Sequence, residues 1–146
     1  MIAVDTNILV YAFREDSDRH DRARAAVEGL VHSGRQWALT WPTVHEFMAV
    51  TTRPGIFDPP SPVTDVMTTL SGLAATGTVR FLSETSDHLT ILAELLTAAD
   101  VRGPKVHDAR IAAICVGHGV TELWSADRDF SYFPRLRVKN PLVETS

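Results

Sequence analysis

The 146 residues read as an α/β domain: a central, mostly parallel sheet of four to five strands with helices on both faces, spanning 1–146 as a single unit. Three observations predict this. Short apolar runs of strand length alternate almost throughout with segments whose apolar residues recur at helical spacing. Gly, Pro and charged clusters punctuate the changeovers. Hydrophobic residues make up 45% and charged residues 22%, a balance that can bury a core without staples.

Residues 1–4 form a strand-type run ending at Asp5, and 7–13 begin a helix capped by Thr6 or Asp5. A charged loop over 14–18 leads to a helix over 19–32, with Ala23, Ala26, Val27, Leu30 and Val31 on one side and Gly34 as its stop. Residues 36–39 give a second strand, and Thr40-Trp41-Pro42 opens a helix, proline being tolerated in a first turn. Residues 53–62, with four prolines and Gly55, form a loop. Helices follow over 63–75, 86–99 and 106–116, and strands over 79–82, 122–125 and 136–139. Alternation of this kind favours right-handed crossovers and a parallel sheet, whose ligands bind beyond the carboxyl ends of the strands at a switch point.

Several function classes are disfavoured. One cysteine, Cys115, excludes an internal disulfide framework and a cysteine-rich zinc site. No apolar run approaches the roughly 18 residues of a membrane span. The start, Met1 followed by Ile-Ala-Val-Asp, has no signal-type stretch, so a cytoplasmic location is expected. The net charge of −4 argues against a broad basic surface for nucleic acid. The acids are eleven Asp and seven Glu, and the placement of some Asp is informative.

Asp5 lies just past the first strand, and Asp127 and Asp129 just past the fourth. Asp108 opens a helix whose positions three, four and seven residues on (Ile111, Ala112, Cys115) are apolar, so it belongs to the buried side. Glu46 stands at the margin of an apolar face with Thr43, Phe47 and Val50. Taken singly, such acids cap helices or shape turns. Gathered at one sheet edge they repel one another and lose hydration, so some take up protons unless a cation sits among them. An all-carboxylate oxygen site without His or Cys suits Mg²⁺ or Mn²⁺ and not zinc.

These pieces resemble the PIN-domain ribonucleases, specifically the VapC-type toxins of toxin–antitoxin pairs. The matching segments are Val4-Asp5-Thr6-Asn7-Ile8-Leu9, Glu46-Phe47, Asp108-Ala109-Arg110-Ile111-Ala112-Ala113 and Ser125-Ala126-Asp127-Arg128-Asp129-Phe130, in the family's order and across nearly the whole chain. The resemblance implies a PIN-like fold and a catalytic set of Asp5, Glu46, Asp108 and Asp127, with Asp5, Asp108 and Asp127 holding the metal. Asp129 is an auxiliary acid, Thr6 and Asn7 orient Asp5, and Ser125 is a polar neighbour where the family more often has Thr. It further implies an endoribonuclease that hydrolyses RNA with a metal-activated water, leaving a 5′-phosphate and a 3′-hydroxyl. Mg²⁺ is the expected cofactor, with Mn²⁺ as a substitute. A cognate antitoxin and a second copy of the chain are the expected partners.

Arg14, Arg53, Lys105, Arg110 and Arg128 are candidates to track the RNA backbone, against an ordinary role as solvated charges. Residues 135–139 read as an edge strand with basic outward positions. His45 and His107 adjoin Glu46 and Asp108, but neighbours on a helix point about 100° apart and do not share a site. Trp37, Trp41 and Trp124, in or beside strands, are assigned to the core over base stacking. A receiver-like phosphoacceptor also gathers acids at strand ends, but it wants a paired acid early in the chain and a lysine after a late strand. Here Asp5 is followed by Thr-Asn, and Lys139 follows the acids. A catalytically silent binding module of the same fold would be expected to lack one of the acids.

Overall fold

A computed structural model describes residues 1–127, 130 and 132–143. Five strands form one sheet: β1 (Ile2–Val4), β2 (Trp37–Thr40), β3 (Val79–Leu82), β4 (Glu122–Trp124) and β5 (Arg137–Lys139). Their spatial order is β3-β2-β1-β4-β5 and every pairing is parallel. The helices are α1 (Thr6–Phe13), α2 (His20–His32), α3 (Trp41–Thr52), α4 (Val63–Ala75), α5 (His88–Ala99) and α6 (Val106–Gly117).

The order fixes where function can sit. Crossovers run outward from β1 to β2 and β3, then return to place β4 on the other side of β1. The switch point is therefore the crevice between β1 and β4, at the carboxyl ends of both.

Both faces of the sheet are buried, as parallel sheets require. Alternate residues of β1 divide between them. Ala3 packs with Leu123 and the buried side of α6, together with Phe130 and Phe133. Val4 packs with Trp37, Leu39 and the apolar sides of α1 to α4, including Ile8, Phe47 and Val66. Proline in the first turn of α3 leaves the Thr43 amide to be capped by Thr40 Oγ1 at 3.3 Å. Gly34, at φ +73°, takes the left-handed conformation that closes α2.

Several expected boundaries shift. The last helix before the 3-10 turn at Gly103–Lys105 begins at His88, because Ser86 and Asp87 form the turn in which the His88 amide bonds Thr85 O at 3.0 Å. Ser125 and Leu136 fall outside β4 and β5. The tryptophans divide. Trp37 is fully buried and Trp124 half-buried, but Trp41 is 41% exposed. It opens α3 beyond the carboxyl end of β2, where its covering aromatic is Phe81, stacked 5.1 Å away. Among the described residues no helix is long and apolar enough to cross a membrane.

Cys115 lies in the interior of α6, and burial, aided by the negative Asp5 nearby, pushes its thiol up to about 12. A thiolate is the reactive form, so the native thiol should be inert. A disulfide reagent at pH 8 should label the protein only after denaturation; labelling of the native state at the rate of a free thiol would contradict this burial.

Candidate active site

Asp5 occupies the N-cap position of α1 in extended backbone, yet its carboxylate makes no capping bond. It turns instead into the β1–β4 crevice, where Ser125 Oγ donates to Asp5 Oδ2 at 2.8 Å. The Asp5 amide itself bonds Trp124 O at 2.9 Å, continuing the β1–β4 ladder. Asn7 ties the two strand ends together. Its Nδ2 reaches Asp5 Oδ2 and Ser125 Oγ, each at 3.4 Å, while its Oδ1 accepts the Ala126 amide at 3.1 Å. Ser125 Oγ also accepts the Asp127 amide at 2.9 Å, which fixes the backbone that carries the Asp127 side chain.

Asp5 is 5% exposed. Burial raises its pKa to about 6; hydrogen bonds from Ser125 and the Thr6 amide oppose that rise, while the negative charges of Glu46 and Asp108 add to it. Asp5 thus feels the other acids electrostatically.

One cavity of about 270 Å³ collects the set. Asp5, Glu46, Asp108 and Asp127 line it with Thr6 and Asn7. Glu46 comes from α3 and is exposed at the rim, whereas Asp108, from the first turn of α6, and Asp127 are half-buried. Asp129 and Arg128 lie outside the described residues. Thr6 reaches Asp5 through its backbone amide, while its Oγ1 is buried without a hydrogen-bond partner and the hydroxyl that bonds Asp5 is that of Ser125. His45 and His107 do not line the cavity, as the helical geometry of adjacent residues requires. A larger cavity of about 390 Å³, walled by Leu9, Phe13, Phe47 and Leu70, brings no such group of acids together; its Glu28 is paired with Arg24 at 2.8 Å.

The donor set offered to an ion is all oxygen. Among the described residues no three carboxylates or imidazoles converge tightly enough to enclose one. Oxygen donors of this kind are the type that a hard cation such as Mg²⁺ or Mn²⁺ takes.

The profile of the PIN domain family matches residues 2–136. The chain belongs to the PIN domain family. Among relatives of this PIN domain, the ribonuclease VapC43 of Mycobacterium tuberculosis is 32% identical over 142 residues, covering 97% of this chain and 96% of the relative. Among solved structures, FitAB bound to a DNA fragment superposes with a TM-score of 0.74 at 20% identity, over 100% of this chain and 99% of that one. A toxin–antitoxin complex from Klebsiella pneumoniae gives 0.67 at 22% identity, over 97% and 98% of the two chains. The PIN assignment sets aside the receiver-like phosphoacceptor.

The same cavity holds residues that the sequence reading passed over: Val10, Tyr11, Val50 and Phe57. Helical spacing could have found three of them, since Val10 and Tyr11 follow Asn7 by one turn and Val50 follows Glu46. Phe57 sits in the proline-rich loop, where no period applies. The basic candidates also sort themselves. Arg110 pairs with Glu84 at 2.6 Å, and Lys105 lies 4.7 Å over the Tyr132 ring. Arg14 is only 12% exposed and bonded within the protein, so it does not track an RNA backbone; Arg53 remains exposed.

Proposed function

We propose that this chain is a Mg²⁺-dependent endoribonuclease, the toxin of a toxin–antitoxin pair. The observation that carries the reading is the Asp5 carboxylate, nearly closed off from water, held by Ser125 across the β1–β4 crevice, and repelled by Glu46 and Asp108. Such an anion is costly to keep without a cation beside it. The relatives named as VapC ribonucleases support the same activity.

Asp5, Asp108 and Asp127 would hold Mg²⁺, with Mn²⁺ as a substitute. When bound, the ion supplies Lewis acidity, lowering the pKa of a water and offsetting charge on the phosphate under attack. The chain's own residues do the rest. Ser125 and Asn7 keep Asp5 in one orientation, and Ser125 holds the Asp127 backbone in register with it. Glu46, at the exposed rim, or Asp127, half-buried, would accept the proton of the attacking water and return it to solvent. Attack by water, and not by the ribose 2′-hydroxyl, leaves a 5′-phosphate and a 3′-hydroxyl.

The test is cleavage of total RNA with Mg²⁺ or EDTA, with 5′-ends mapped by ligation. Wild-type protein should cut only with Mg²⁺, and Asp108→Asn, folded alike, should lose most activity. Full activity of that variant, or in EDTA, would overturn the reading.

A cognate antitoxin would silence the site by placing an Arg fork on the carboxylates, in competition with the metal. MgCl₂ should therefore weaken inhibition more than NaCl at equal ionic strength; equal effects of the two salts would reject that mechanism. A symmetric homodimer is the matching assembly. Of α4, Val63 and Met67 are 64% and 44% exposed, and of α5, Leu89 is 78% exposed, apolar surface that a second copy would cover. Light scattering should give twice the chain mass at micromolar concentration, and a monomer mass would reject the dimer.

A further inference from the structure

The acids occupy only part of the cavity wall. The remainder is apolar and aromatic, with Tyr11 and Phe57 as its flat surfaces. Phe57 comes from the loop between α3 and α4, and Arg14 at the end of α1 fixes it there. The Arg14 guanidinium lies 4.4 Å from the Phe57 ring centroid. Its Nη1 donates to Pro59 O at 2.9 Å and Ser61 Oγ at 3.1 Å, and its Nε and Nη2 donate to Asp16 at 2.9 and 2.6 Å. The Ser61 amide anchors the end of the loop to Thr51 O at 2.8 Å. Phe57 lines the cavity and Arg14 does not, so the guanidinium backs the ring from outside.

The geometry points to a nucleobase-stacking subsite, in which the Phe57 ring, clamped by Arg14 and flanked by Tyr11, receives a base next to the scissile phosphate. This rests on the ribonuclease reading above. A phosphate at the acids brings its neighbouring base within the same cavity. The acids disfavour a second anionic group there, whereas a base is uncharged, flat and gains from an aromatic face. Four donors of Arg14 are engaged within the protein, so its contribution is to hold the ring and not to bind phosphate. Arg14 is a positioning residue; Phe57 touches the substrate.

The experiment uses short single-stranded oligoribonucleotides with 2-aminopurine moved one position at a time, added with Mg²⁺ to the Asp108→Asn protein so that they stay uncut. One position should be quenched by stacking. Adding Phe57→Leu should remove that quench and weaken binding roughly tenfold, the usual effect of one lost base stack, and Phe57→Trp should restore both. In the otherwise native enzyme, Phe57→Leu should raise KM and leave kcat little changed, and Arg14→Lys should do the same to a lesser degree. Thermal melts of the Leu and Trp variants check that each is folded. If native protein cuts RNA but Phe57→Leu binds, quenches and cuts as native does, the subsite is wrong, and the aromatic wall belongs to a partner protein's side chain. If native protein neither binds nor cuts RNA under any metal condition, the ribonuclease reading falls and the subsite falls with it.

Discussion

Asp5→Asn should give a protein that melts higher than wild type at pH 8 and cleaves no RNA. The two effects share one cause. Asp5 is 5% exposed and its pKa is raised from 3.8 to about 6. Above the folded value the carboxylate is charged in folded and unfolded states alike, and burying that charge lowers stability by about 3 kcal/mol. Below 3.8 it is neutral in both states and the penalty is gone. Metal-free wild type should therefore gain stability as the pH falls from about 6 to 3.8, from this group alone. An amide keeps an oxygen for the Ser125 hydroxyl but carries no charge, so the variant should be stabler by about 3 kcal/mol at pH 8 and level with wild type near pH 4. Urea titrations in EDTA at the two pH values measure this. A variant less stable than wild type at pH 8 would show that Asp5 serves the fold, not the chemistry.

Ser125→Ala should lower cleavage about 10- to 100-fold at pH 7 and less at pH 8.5, the range expected for losing a hydrogen bond to a charged group. Ser125 Oγ is the donor that most lowers the Asp5 pKa, and it also accepts the Asp127 amide. Without it the Asp5 pKa rises further, and protons compete with the metal for Asp5 over a wider pH range. Wild-type activity should fall as the pH drops through about 6, and the Ala variant should fall at higher pH. Ser125→Thr keeps the hydroxyl and should restore the wild-type profile. A uniform loss at every pH, with no shift of the profile, would mean that the serine acts through packing alone.

The sheet and most helices were legible because the apolar runs are either short or spaced for one helical face, and each is closed by a residue with a defined backbone role, such as Gly34 or Pro42. Asp5 and Asp127 were legible because strand ends of a parallel sheet share one edge, and Asp108 because the apolar positions three, four and seven residues on put it on the buried side of its helix. Three features escaped that reading. The Thr6 hydroxyl points away from any partner, a rotamer that spacing does not encode. Arg14 reads as a surface cation next to Asp16, and only the folded loop shows its donors filled by Pro59 and Ser61. Phe57 stands among prolines, with no periodic neighbours to assign it a face, and reaches the cavity because Arg14 holds it there.

The bond between Asn7 Nδ2 and Ser125 Oγ joins residues 118 positions apart. It has a consequence in time as well as space. During synthesis Asp5 is made first and stays without its hydroxyl partner, its ladder contact at Trp124 O and the Asp127 carboxylate until the chain has been made through β4 and on to Asp127. A nascent chain, or one cut short before residue 125, carries the first carboxylate but no assembled centre. The nuclease is thus inert while β1 to β3 are being made, and becomes able to act only when β4 has closed beside β1.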